Sequence, residues 1–147
     1  MATVSPVKTP KHLWLVGIVS LLWNAVGATD YTMTALGNTA YLESMGFGPE
    51  EQAWVAAFPA WAVAVWAIGV WGSIVGSILL LMRSRHAVTA FIVSALGAVG
   101  SFAYQFTSDR PASMEGGGAV IMPVVIIILI VAQWYYARRM AAAGVLR

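Results

Sequence analysis

The sequence predicts an all-α fold, a four-helix transmembrane bundle with both ends on the cytoplasmic side, and three observations predict it. Four apolar runs, at residues 13–36, 59–82, 87–106 and 119–137, are each long enough to cross a bilayer, because about 20 residues rising about 1.5 Å each span about 30 Å of hydrocarbon. The charges are sorted between the runs. Lys8, Lys11, Arg83, Arg85, Arg138, Arg139 and Arg147 fall on one side, whereas Asp30, Glu43, Glu50, Glu51, Asp109 and Glu115 fall on or toward the other. Only Arg110 breaks the sorting. Lys and Arg are retained in the cytoplasm, so the basic side is the inner one. The composition agrees: 60% of the residues are hydrophobic and 10% charged, against about 25% charged in a soluble domain.

The elements follow in order. Residues 1–12, with Pro6 and Pro10, read as a short cytoplasmic tail. A signal peptide cut after Ala28 is an alternative for this region, but the apolar pattern continues through Leu36 and makes a full span. On the helical rise Asn24 lies about 16 Å into span 1, near the midplane, and Asp30 about 25 Å in, at the outer shoulder. The outer loop ends in Gly48-Pro49-Glu50-Glu51, and Pro followed by acids marks a helix start. The stretch 49–82 is too long for one perpendicular span. Pro59 removes a backbone donor, so span 2 is expected to be kinked there, or extended on the outer side by an interfacial segment over 49–58. A short basic turn, Arg83 to His86, leads into span 3, and the glycine-rich loop at Gly116, Gly117 and Gly118 leads into span 4. The chain of 147 residues forms a single domain, with no internal repeat to suggest a repeat-built transporter.

At 100° per residue, Ser20, Asn24, Gly27, Tyr31, Thr34 and Asn38 share one face of span 1, with Trp23 and Asp30 on its flank. Leu15, Ile18, Leu22, Val26 and Met33 form the lipid face. A polar stripe in a bilayer needs partners. It is either a set of inter-helix hydrogen bonds or one wall of a solute site. Span 2 lines up Gly69, Gly72, Ser73 and Gly76, and span 3 answers with Ser94, Gly97 and Ser101. Small residues let helix backbones approach closely, so an antiparallel packed pair is expected, with oligomer contact as the other use.

Further out, Trp54, Phe58 and Trp61 continue the span 2 line, while Tyr104 and Gln105 end span 3. Small residues below and aromatics above should splay the pair into an outer crevice, with Asp30 and Tyr31 at its depth. A carboxylate over aromatic rings suits a sugar or an organic cation. The candidate polar or ligand residues are therefore Asn24, Asp30, Tyr31, Trp54, Trp61 and Tyr104. An ionisable residue in a span suggests a site, although Asp30 also fits a structural cap or a pair with Arg110.

No nucleophile with its base, phosphate loop or paired carboxylates is present, so no enzyme, cofactor or metal is expected. His12 and His86 lie at the inner side with no carboxylate beside them, and there is no Cys for disulfide or thiolate chemistry. The pI of about 9.2 reflects topology signals beside anionic lipid rather than nucleic-acid binding.

The stretch from Leu22 through Trp23, Asn24, Asp30 and Tyr31 to Thr34 resembles the signature of a small four-span family of proteobacterial inner-membrane proteins. Phe58-Pro59-Ala60-Trp61 and the stretch from Trp66 to Ser73 resemble it too. The resemblance implies a bacterial inner membrane, and some members carry a sugar-transporter label. Two function classes follow. The leading one is a non-catalytic accessory, scaffold or lipid-associated subunit, in a homo-oligomer or a larger membrane complex. The alternative is a carrier or binder of a small polar, sugar-like solute at the outer crevice.

Overall fold

The chain is a bundle of four long helices joined by three shorter elements. The structure, a computed structural model, describes residues 7–147; Pro6 and the rest of residues 1–6 lie outside the described part. The long helices are α1 (Lys11–Ala35), α4 (Ala60–Leu81), α5 (His86–Thr107) and α6 (Gly118–Ala142). Each is long and apolar enough to cross a membrane, so this is a multi-pass membrane protein. Between α1 and α4 lie α2 (Thr39–Ser44) and α3 (Pro49–Ala56), and a 3-10 turn (Ala112–Met114) precedes α6.

Local chemistry sets the boundaries. Helix α1 ends where Gly37 takes φ +63°. The Asn38 N–H then reaches the Met33 carbonyl and the Gly37 N–H that of Thr34, a Schellman closure that satisfies two terminal carbonyls. Asn38 starts the next helix at once, its side chain accepting from Tyr41 N–H at 2.9 Å. Helix α3 begins at Pro49 with Glu50 and Glu51 in its first turn. Pro59, extended at φ −66° and ψ 151°, separates α3 from α4 and serves as the N-cap of α4. The outer extension of span 2 is thus a helix of its own.

At the far end of α4 the same closure recurs without glycine. Arg83 has φ +57°, with bonds from Ser84 N–H to Leu79 and from Arg83 N–H to Leu80. The left-handed conformation costs a non-glycine residue about 1 kcal/mol. Neighbours hold it in place: the Arg83 side chain donates to Thr9 Oγ1 at 2.8 Å, and the Arg83 carbonyl accepts from Arg147 N–H. The Arg147 carbonyl in turn accepts from Arg85 N–H, which pins the last residues against the α4–α5 turn.

Helix α4 packs on α1 along one side and on α5 along the other, and α5 carries α6. The α4–α5 seam brings backbone against backbone. A Cβ on Gly97 would meet Gly69 N at 2.5 Å, one on Gly72 would meet Ser94 Cα at 3.1 Å, and one on Gly76 would meet the Phe91 ring. Ser94 Oγ donates across the seam to the Gly69 carbonyl at 2.6 Å. At the end that carries the start of α1 and the C-terminus, Leu13, Leu80, Ala87, Phe91, Ala137, Val145 and Leu146 form one buried apolar cluster. The opposite end, the loop end, holds α2, α3 and the 3-10 turn.

Candidate functional site

Midway along α1, Asn24 is 6% exposed. Its Nδ2 donates toward the Ser77 hydroxyl at 2.9 Å, the Gln133 Oε1 at 3.1 Å and the Ser73 carbonyl at 3.2 Å. Ser77 Oγ also donates to the Ser73 carbonyl at 2.9 Å. A single amide therefore ties α1 to α4 and to α6. Such a network answers the demand that polar groups in hydrocarbon find partners. It contains no titratable group, so it orients helices and carries no proton.

The network also sorts the small residues of α4. Gly69, Gly72 and Gly76 face α5, whereas Ser73 turns its backbone carbonyl to Asn24 on α1 and keeps its hydroxyl on Val70 O. On α5, Ser101 is 3% exposed and accepts from Gln105 Nε2 at 3.0 Å.

Asp30 lies one and a half turns further along α1 and meets α2 rather than Arg110. Its Oδ1 accepts from the Tyr41 hydroxyl at 2.9 Å. Burial, then the hydrogen bond to Asp30, push the Tyr41 hydroxyl above the usual tyrosine value. Arg110 lies over the Phe106 ring instead, 4.4 Å from its centroid.

The four aromatic candidates belong to one cluster that two further rings complete. Tyr31 meets Trp66 edge-on at 5.0 Å, and Phe58 lies 6.4 Å from the same Trp66. Phe58 also touches Trp54 at 4.8 Å and Tyr104 at 5.1 Å, and Tyr104 touches Trp61 at 5.1 Å. Edge-to-face pairs at these separations are attractive beyond their buried area. Trp54 Nε1 also donates to Ser108 Oγ at 3.3 Å. The rings join α1, α3, α4 and α5 at the loop end. Asn24 and Asp30 have their polar partners elsewhere.

Two cavities open on the loop-end half. One, of about 470 Å³, lies between α3, the end of α5 and the start of α6; its walls include Trp54, Gln105, Arg110 and Glu115. The other, of about 400 Å³, is an apolar groove between α5 and α6, walled by Phe102, Ala103, Val124 and Ile127. Neither is lined by Asn24, Asp30, Tyr31, Trp61 or Tyr104. Near the first, Glu51 accepts from the Ser113 hydroxyl, and this bond leads the causes that hold the Glu51 carboxyl below its ordinary value. Among the described residues no group of three or more His, Cys, Asp or Glu is placed to hold a metal ion.

Sequence reasoning missed Ser77, Gln133, Tyr41 and Trp66 as partners. Gln133 carried a readable signal as a lone amide inside a long apolar run. Ser77 sits one turn beyond Ser73, on the face turned to α1. Comparison with family models, with curated proteins and with solved structures returns no match for this chain.

Proposed function

We propose that the protein is a non-catalytic subunit of a bacterial inner membrane, with both termini in the cytoplasm, acting as an accessory, scaffold or lipid-associated component. One observation carries the reading: the two polar candidates deepest in span 1, Asn24 and Asp30, are each held by protein partners. Asn24 bonds to Ser77, Gln133 and the Ser73 carbonyl, and Asp30 to Tyr41. A carrier of a sugar-like solute calls for such groups along an open path, and these two line neither cavity. The charge sorting supports the cytoplasmic placement of the termini, and the resemblance of the span 1 motif supports the bacterial inner membrane.

The test is native mass spectrometry after mild solubilisation from the native membrane. A second copy of the chain or another membrane protein at fixed stoichiometry is expected. A lone monomer that accumulates glucose in proteoliposomes, and loses that uptake in Asp30→Asn, overturns the reading in favour of the carrier. Reporters fused near Gly46 and Gly117 should be accessible from outside, and those in the turn from Arg83 to His86 inaccessible.

A further inference from the structure

We infer that the loop-end half holds a binding site for one zwitterionic phospholipid, with its phosphoethanolamine head group between Arg110 and Glu115 and an acyl chain in the α5–α6 groove. The site deepens the lipid-associated part of the proposed function. The two cavities share Phe106 and Pro123 as walls, so a polar chamber and an apolar groove adjoin. The groove reaches from Phe106 down to Val99 on α5, about 10 Å of helix, and directs a chain toward the bilayer interior. Its walls are almost wholly aliphatic and aromatic, which suits a hydrocarbon chain and no hydrogen-bonding solute.

The chamber supplies the charge pattern. Arg110 is the one basic residue among the acids of this end, an exception to the sorting that a bound phosphate would explain. It projects from just beyond the end of α5, at Thr107, which places it at head-group depth. The Phe106 ring packs under its guanidinium, 4.4 Å from Cζ to the ring centroid, and guanidinium forks suit phosphate oxygens. Glu115 lines the same chamber and complements an ammonium group. Pro123 adds to this side: it has no N–H to give the Ala119 carbonyl its usual helical bond, and Ala119 is also a chamber wall. One cation, one anion and an adjoining apolar groove match a phosphatidylethanolamine better than an anionic lipid, which Glu115 would repel.

The test uses the purified full chain, delipidated in detergent, with dioleoyl-phosphatidylethanolamine, dioleoyl-phosphatidylglycerol and free phosphoethanolamine as probes in native mass spectrometry. One equivalent of phosphatidylethanolamine should bind in preference to the other two. Arg110→Gln should weaken it about tenfold or more, from the loss of a charge-assisted bond. Ala103→Trp, which fills the groove, should weaken it without touching the head-group residues, and Glu115→Gln should shift the preference toward phosphatidylglycerol. Unchanged helicity and melting without lipid confirm that each variant is folded. Preference for phosphatidylglycerol in the wild type overturns the proposal, as does equal binding of free phosphoethanolamine, or retention of the lipid by both Arg110→Gln and Ala103→Trp. These outcomes are independent of the subunit stoichiometry, so the lipid site and the accessory role can fail separately.

Discussion

At the end where α1 starts and the chain ends, Leu13, Leu80, Phe91, Ala137 and Leu146 close a core in which each is under 5% exposed, and Arg147 is bonded by its backbone to the α4–α5 turn. At the loop end the helices are held by rings set edge to face, and Trp61 remains 58% exposed. Two open cavities lie in that half. The contrast goes with a change of side-chain size along the α4–α5 pair. Gly69, Gly72 and Gly76 bring the backbones together; beyond them the rings of Phe58, Trp61 and Tyr104 meet edge to face. One half is packed by shape, and the other keeps open volume along α5 and α6.

Substitutions in the two halves and between them test this contrast. The largest effect is expected at the seam, where Gly97→Leu would drive a side chain into the Gly69 backbone and cost about 3 kcal/mol. Thermal unfolding in mild detergent measures it, and a melt like that of the wild type would show that the seam is not tight. Leu146→Ala comes next. It should cost roughly 2 kcal/mol by leaving a cavity in the terminal core; a silent variant would remove the difference between the two ends.

A smaller effect is expected at the buried network. A double-mutant cycle of Asn24→Leu and Gln133→Leu should give a coupling of about 1 kcal/mol, the usual scale for hydrogen bonds between membrane helices. Additive losses would mean that the two amides do not share a bond. The smallest effects belong to the loop end. Asp30→Asn keeps an acceptor for the Tyr41 hydroxyl and should cost about 0.5 kcal/mol. Ile121→Leu, on the lipid-facing side of α6 with Ile121 63% exposed, should not shift the melt at all. If Asp30→Asn unfolds the protein, the loop end is as closely determined as the terminal one.

The fold was legible because lipid leaves few choices: a span must satisfy its backbone internally, and its length is set by the hydrocarbon. Helix α3 was legible from Pro49 and two acids. Helix α2 was not foreseen, although Asn38 three residues before Tyr41 is a capping spacing. The last helix outruns its apolar run, ending at Ala142, because Arg138 and Arg139 continue a helix past the hydrocarbon. Pairing was the illegible part. That Asn24 needed a partner follows from its depth; that the partner would be Gln133 depends on how α6 is rotated against α1, and no local pattern encodes that rotation. Asp30 is the same case, since Tyr41 became its partner through the path of a short helix the sequence did not announce.

The seam and the network also differ in when they can form. Ser94 and Gly69 are 25 residues apart, and the contacts converge toward the short turn at Arg83, so the α4–α5 pair can zip together as a local hairpin with little loop-closure entropy. Asn24 and Gln133 are 109 residues apart, and their bond must wait for the last span to be in place. Until then Asn24 has only the hydroxyl and carbonyl of α4 for company. The bundle thus combines a sequence-local seam with a long-range latch, and a chain whose final helix inserts in the wrong rotation leaves that latch open inside the bilayer.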